Sequence, residues 1–438
     1  MNAREGRDGG APSEDPAAPA EGPAGTARDV AVSVVRRVLR GAFLAPSLRR
    51  SRDVARLDGR DRSFVTDLAY GTLRHLPRLD AALAQRLRAP ERLPDDARAA
   101  LRLGAYELLV RGTPRHAAVD AWVDVVKRRN PHLAGLANAV LRRVEDPADG
   151  ARESALSLPG WLLAQFEAAL GTEAAHRAAE AMLLPGPLWL RAYAEDAADA
   201  LRAEGCEVEP GPLPGTLRVR APVPLGALEA YRLGKVQPQN PTSTLPAALL
   251  APAAGERVLD LASGNGIKTA QLAAAGARVT AVDIDAGKAR AMNDNLARLG
   301  LSAEHRTADL TLRADLPASP AVLLDAPCTG TGTLRGHPEI KLRLTPDDVT
   351  AAAARQRAML STAGALLEPG GRLVYAVCSL TRAEGDDQIA AMLDADPALR
   401  SSGLGERVGV PHVAVGHGVY VLPLDGLDGF YLAEIRRG

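Results

Sequence analysis

A chain of 438 residues is too long for one compact core, so two or three domains are expected. Its 46% apolar and 24% charged residues are the balance of a soluble globular protein, and the absence of an apolar run of membrane-spanning length excludes a membrane partner. The formal net charge of zero, taken whole, argues against a nucleic-acid partner, and three distant cysteines (Cys206, Cys328 and Cys378) with no CxxC pair argue against a metal centre or a disulfide framework.

The first 26 residues are rich in Ala, Pro, Gly and Glu and lack an apolar core. They read as a disordered tail rather than a signal peptide, which places the chain in the cytoplasm. Residues 27–146 read as all helix. Val30, Val34, Val35 and Leu39 recur at helical spacing, as do Phe64, Val65, Leu68 and Leu73, and strand-type alternation is absent. This segment holds 24 Lys+Arg against 14 Asp+Glu, a net of +10, while the sequence on either side of it is acidic. A basic module joined to an acidic one points to a polyanionic partner for the basic half. Only five residues of the whole chain are lysine. Arginine's planar fork suits phosphate, although a GC-rich genome gives the same bias and is the plainer cause.

The break DPADGARES marks a linker. Residues 151–250 read as a small α/β subdomain, with a helix in LPGWLLAQFEAALG, a strand in LWLRAY, a helix in DAADALRAEG and an extended stretch in TLRVRAP. From Gly255 onward short apolar strands (RVLDLA, RVTAVDID, AVLLDAP, RLVYAVCS) alternate with Ala-rich helices, so residues 251–438 read as a doubly wound α/β domain.

In such a sheet, ligands bind in the crevice at the carboxyl ends of the strands. Asp260 ends the first strand, Asp283 the second, and Asp309 lies just past the third. Asp325 and Cys328 close the next, and Cys378 the one after it. Five successive strand ends thus bring an acid or a thiol to one rim. After the first comes DLASGNGIKTAQL, where Gly264 and Gly266 permit a tight turn and the following helix offers free amides. A lone G-x-G also occurs in dinucleotide binders. Asp283 suits a ribose diol and Asp309 an adenine amino group; the plain alternative for each is a helix N-cap.

The stretch DAPCTGTGTLRGHPEI, with YAVCSL fifty residues after it, resembles the RNA cytosine-5 methyltransferases of the RsmB/Sun type, whose hallmark is one cysteine in a DAPCSGTG motif and another in a TCS motif. Here these are Asp325 to Gly332 and Val377-Cys378-Ser379. The resemblance extends to QNPTSTL, to DGFYLAEIRR and to SLPGW…LWLRA. Residues 27–146 resemble the RNA-binding NusB fold through DRSFVTDLAYGTLR, PRHAAVDAWVDVVK and LANAVLRR. The implied architecture is an all-α NusB-like N-terminal domain, a small α/β subdomain and a C-terminal Rossmann-like class I methyltransferase domain.

The resemblance implies a monomeric enzyme using S-adenosylmethionine on ribosomal RNA, with Cys378 as the attacking thiol, Cys328 assisting product release, and Asp325 near cofactor and base edge. The cofactor would lie against Ala262, Ser263, Gly264, Asn265, Gly266, Ile267, Lys268, Asp283, Asp309 and Asp325. The chemistry explains the thiols. Carbon 5 of cytosine is a poor nucleophile until a thiolate adds to carbon 6, and a base must then remove the carbon 5 proton so that the thiolate leaves. A free thiol near pKa ~8.5 is only a few per cent ionised at neutral pH, so some activation is required. The first motif departs from the family's CAAPGGKT: Asn265 stands for proline and Ile267 for glycine. His337 invites a general-base reading, with fixing of its loop as the plainer one. A DNA cytosine-5 methyltransferase would use Cys328 as nucleophile, a non-catalytic RNA-binding factor would have lost its cofactor, and a small-molecule methyltransferase would need neither thiol.

Overall fold

The computed structural model describes residues 26–146, 156–312 and 315–438. The expected tail, apart from Thr26, and most of the DPADGARES linker lie outside them.

Residues 26–146 are helical wherever they are regular. The first helix, Ala27–Leu39, starts with a capping box in which Thr26 and Asp29 satisfy each other's backbone amides. Its valines meet Leu68, Leu103 and the fully buried Trp122 in one core. Buried Glu107 accepts both a two-nitrogen fork from Arg28 and the Trp122 indole N–H. A cationic partner and a third donor compensate the desolvation of that carboxylate.

The expected subdomain over 151–250 divides. Strands β1 (Leu188–Ala192), β2 (Glu207–Pro210), β3 (Thr216–Arg220) and β4 (Val236–Pro238) form an antiparallel sheet in the order β2-β3-β1-β4, around a core of Leu190, Leu201, Val219 and Val236. The preceding helices, Gly160–Leu170 and Thr172–Leu183, instead bury Leu162, Phe166 and Met182 in the core of the large sheet. The Pro241–Leu250 helix packs against that sheet's other face. Four short strands offer too little apolar surface to cover these helices, so they bury against the larger sheet.

That sheet contains β5 (Arg257–Leu261), β6 (Arg278–Asp283), β7 (Glu304–Thr307), β8 (Ser319–Asp325) and β9 (Leu367–Val377), all parallel in the order β7-β6-β5-β8-β9. Beyond them β10 (Leu399–Ser402), β11 (His412–Ala414), β12 (Val419–Val421) and β13 (Phe430–Arg437) complete it, with β13 antiparallel to β9 and to both β10 and β12. From β5 the chain order runs outward both ways, to β6 on one side and β8 on the other, so a crevice opens where the strand order reverses. No helix among the described residues is long and apolar enough to cross a membrane.

The helical domain docks on the segment just past Cys328. Leu342 packs into the helical core, Glu339 accepts from the Leu44 amide, and Arg343 donates to the Val38 and Ala42 carbonyls. Lys341 is buried there on the carbonyls of Arg74 and Ser157. Burial, helped by the Arg74 charge, pushes its ammonium down to about 7.

Candidate active site

The loop after β5 turns through three left-handed residues, Ala262, Gly264 and Gly266. At Gly266 a side chain would be strained at a left-handed φ and would force Met292 to shift, because a Cβ there would lie 2.3 Å from the Met292 Cγ. Ile267 follows with ordinary negative φ and opens the Ile267–Ala274 helix, so the departure from glycine costs no backbone strain. Its side chain faces the crevice, and Asn265 is exposed at the rim. The Ser263 amide donates to the Val282 carbonyl, which binds the loop to the end of β6.

Asp283, at the end of β6, accepts from the amides of Gly264 and Asp285 and from the Lys288 ammonium. Burial alone would raise its carboxyl, but those three donors outweigh it and hold the group below the usual carboxylate range. It therefore builds the loop as well as facing the crevice. Asp309 caps a turn rather than a helix: Oδ1 accepts from the Thr311 amide and hydroxyl at the crevice wall.

Asp260 is fully buried. Its Oδ2 accepts from Thr269 Oγ1 at 2.5 Å, while Oδ1 has no partner. Burial pushes this carboxyl up to about 7, against the lowering influence of Thr269 and Lys268. The Ser263 hydroxyl is also buried without a partner. Both unpaired oxygens belong to residues on the wall of a cavity of about 870 Å³. Unsatisfied buried oxygens beside an open glycine loop suit a polar ligand carrying a ribose and an amine, and the predicted loop residues fit one. Gly266 alone among the predicted site residues stands behind the wall rather than on it.

Also on the cavity wall, Lys268 reaches Asp325 Oδ2 at 2.5 Å and Ser243 Oγ at 3.2 Å, with its ammonium 5.7 Å from the centre of the Phe430 ring. Burial works to lower the Lys268 ammonium, yet the Asp325 carboxylate, aided by Cys378 and Asp260, raises it overall, so it stays charged.

Cys328 and Cys378, both on the same cavity wall, meet sulfur to sulfur at 3.0 Å. Two loops make this possible. The Gly332 amide donates to the Cys378 carbonyl, and the Leu380 amide donates to Thr331 Oγ1. Gly332 must be glycine, because a Cβ would lie 1.9 Å from the Gly429 carbonyl oxygen. The hydrogen bond to Cys378, then burial, then the charges of Cys378 and Glu384 push the Cys328 thiol well above its ordinary value.

His337 is exposed and off the cavity wall, away from the place a general base would need; its backbone closes turns with Thr333 and Ile340. Sequence reasoning missed Ser243, Glu384, Gln356, Asp428 and Phe430. Ser243 lies within QNPTSTL, Phe430 and Asp428 within or beside DGFYLAEIRR, so both stretches carried the signal without assigning a residue. Asp428 faces the cavity, and burial raises it to about 6.

Residues 247–436 match the family profile described as 16S rRNA methyltransferase RsmB/F, and residues 25–146 match that of the NusB family. A relative from Thermus thermophilus, named ribosomal RNA small subunit methyltransferase B, is 44% identical over 413 residues, which is 94% of this chain and 98% of the relative. The crystal structure of PH0851 superimposes with a TM-score of 0.78 at 22% identity, covering 94% of this chain and 99% of that one. NSun6 from Pyrococcus horikoshii, solved with SFG, gives a TM-score of 0.57 at 21% identity over 64% of this chain and 98% of its own. Both structural likenesses are likenesses of fold.

Proposed function

The chain belongs to the RsmB/F family of 16S rRNA methyltransferases, and on that premise we propose that it methylates carbon 5 of a cytidine in small-subunit ribosomal RNA through a covalent adduct with Cys378. S-adenosylmethionine, when bound, supplies a methyl group on a sulfonium. The residues that would hold it are the loop from Ala262 to Lys268 together with Asp283 and Asp309, with Asp325 between cofactor and base.

The observation that carries this reading is the pairing of two thiols, 3.0 Å apart, on the wall of a cavity that a glycine loop also lines. Cys378 as thiolate forms the bond to carbon 6, and the displaced electron pair makes carbon 5 nucleophilic. Carbon 5 then takes the methyl group. A base removes the carbon 5 proton, that electron pair restores the ring double bond, and the sulfur–carbon 6 bond breaks with the thiolate leaving. Cys328 suits the base for a reason of timing. Two of the influences that hold its proton come from Cys378, as hydrogen-bond partner and as charge. Once Cys378 is a thioether both vanish; Cys328 then gives its own proton to solvent and, as thiolate, takes the carbon 5 proton. Carbon 6 is hidden in a stacked helix, so the cytidine is read single-stranded or splayed out.

Bisulfite sequencing of ribosomal RNA from a strain lacking this protein tests the assignment. One small-subunit cytidine is expected to lose its protection, and an unchanged pattern would remove the proposal.

The helical domain supplies phosphate contacts in this reading. Arg37, Arg49, Arg50 and Arg52 are exposed on it, with no ion pair among the described residues. Their joint replacement by glutamine should weaken RNA binding and flatten its salt dependence, by about 0.7–0.9 in the logarithmic slope for each arginine that neutralises a phosphate. Equal slopes for the two proteins would assign those arginines another purpose.

A further inference from the structure

Glu384 is a fully buried carboxylate with no ion pair among the described residues. Oε1 accepts from the Thr329 amide at 2.9 Å and from Gln356 Nε2 at 3.1 Å. Oε2 accepts from the hydroxyls of Thr329 and Ser379, each at 2.5 Å, and of Thr381 at 3.0 Å. Gln356 in turn donates to the Pro327 carbonyl, immediately before Cys328. Thr329 follows Cys328 and Ser379 follows Cys378. One carboxylate therefore grips the residue after each cysteine, although the two cysteines lie on loops fifty residues apart. A buried carboxylate without a cation is costly, and here five hydrogen bonds from neutral donors replace the cation. A side chain that served packing alone would be cheaper as an apolar one.

We propose that Glu384 is the positioning residue of the thiol pair, holding the chain after each cysteine so that the two sulfurs meet and take unequal roles. It touches neither cavity nor substrate and acts through the two loops. Its charge also bears on the chemistry. After the hydrogen bond with Cys378, burial and the Cys378 charge, the Glu384 charge is a further influence raising the Cys328 thiol. A neutral group at 384 would lower that thiol and let Cys328 compete with Cys378 for the negative charge. The inference rests on the reading that the two thiols divide the work of one reaction.

Glu384→Gln keeps the size and one acceptor while removing the charge. The test is alkylation by iodoacetamide across pH, on the full-length Cys206→Ala protein without RNA, with mass spectrometry separating the two cysteine peptides. The rate ratio of Cys378 over Cys328 near neutral pH is expected to fall by about tenfold in Glu384→Gln. A purely structural role would leave that ratio unmoved in a folded variant, and an unmoved ratio overturns the inference. Should Glu384→Gln fail to fold, Ser379→Ala keeps the charge and cuts one grip. It should retain the alkylation order yet lose about tenfold or more in methyl transfer, and unimpaired transfer also overturns the inference. Because alkylation needs no RNA, its outcome stands apart from the reaction assigned to the pair. If the ratio falls while Cys378→Ala still forms an RNA adduct, Glu384 keeps its role and the nucleophile assignment fails.

Discussion

Cys378→Ala is expected to form no covalent RNA adduct and to lose methyl transfer by about four orders of magnitude or more, whereas Cys328→Ala should accumulate an adduct that survives denaturing electrophoresis. The asymmetry follows from the order of bonds. Removing the attacking sulfur prevents addition to carbon 6, so nothing can be trapped. Removing the thiol that serves elimination leaves addition and methylation possible and stalls the complex afterwards, with turnover falling about 10²- to 10⁴-fold. The hydrogen bond with Cys378 and burial raise the Cys328 thiol, which disfavours it as the attacking group. A DNA-type enzyme would reverse the pattern, with Cys328→Ala unable to form adduct and Cys378→Ala close to normal. A gel with that reversed pattern would sink the assignment of the nucleophile and much of the case for an RNA enzyme.

What the sequence made legible was the rim of the sheet. Parallel strands between helices must deliver their carboxyl ends to one side, so the sequence alone brings Asp260, Asp283, Asp325, Cys328 and Cys378 to one rim. The Lys268–Asp325 pair was named on both sides but not as a pair, because 57 residues of sequence separate partners that only the β5–β8 adjacency brings together. The antiparallel edge was not read as strands. β11 and β12 have three residues each, too short for a period of two to register. Glu384 was illegible for a different reason. RAEGDD reads as a run of surface charge, and it is the packing of Gln356, Thr329 and Ser379 around one of those acids that buries it. The division of 151–250 belongs to the same class. Whether an apolar helix face covers a small sheet or a large one is decided by available area, which local pattern does not report.

Lys268→Met should separate what the charged pair does for the fold from what it does for the reaction. The ammonium is buried, held by Asp325 and Ser243 beside the Phe430 ring. Methionine fills a similar volume but leaves the Asp325 carboxylate facing the cavity without its cation. Losing one partner of a buried pair is costlier than losing both, because the remaining charge stays desolvated. Asp325 keeps about a third of its side-chain exposure, at 30%, so water recovers part of that cost. A stability loss of about 1–3 kcal/mol is therefore expected, below the range for fully buried pairs. Adding Asp325→Asn should restore most of it, since an amide tolerates the site without a cation. Methyl transfer should not return with the fold. In the proposed reaction Asp325 lies between cofactor and base edge, so the double variant should remain at least about 100-fold below the parent. Chemical denaturation of the single and double variants, set beside their transfer rates, gives the coupling between the two side chains directly. Independent, additive stability losses would mean that the 2.5 Å contact contributes nothing. Recovery of activity in the double variant would mean that Asp325 matters only as the partner of Lys268, and the carboxylate would then have no part in the chemistry.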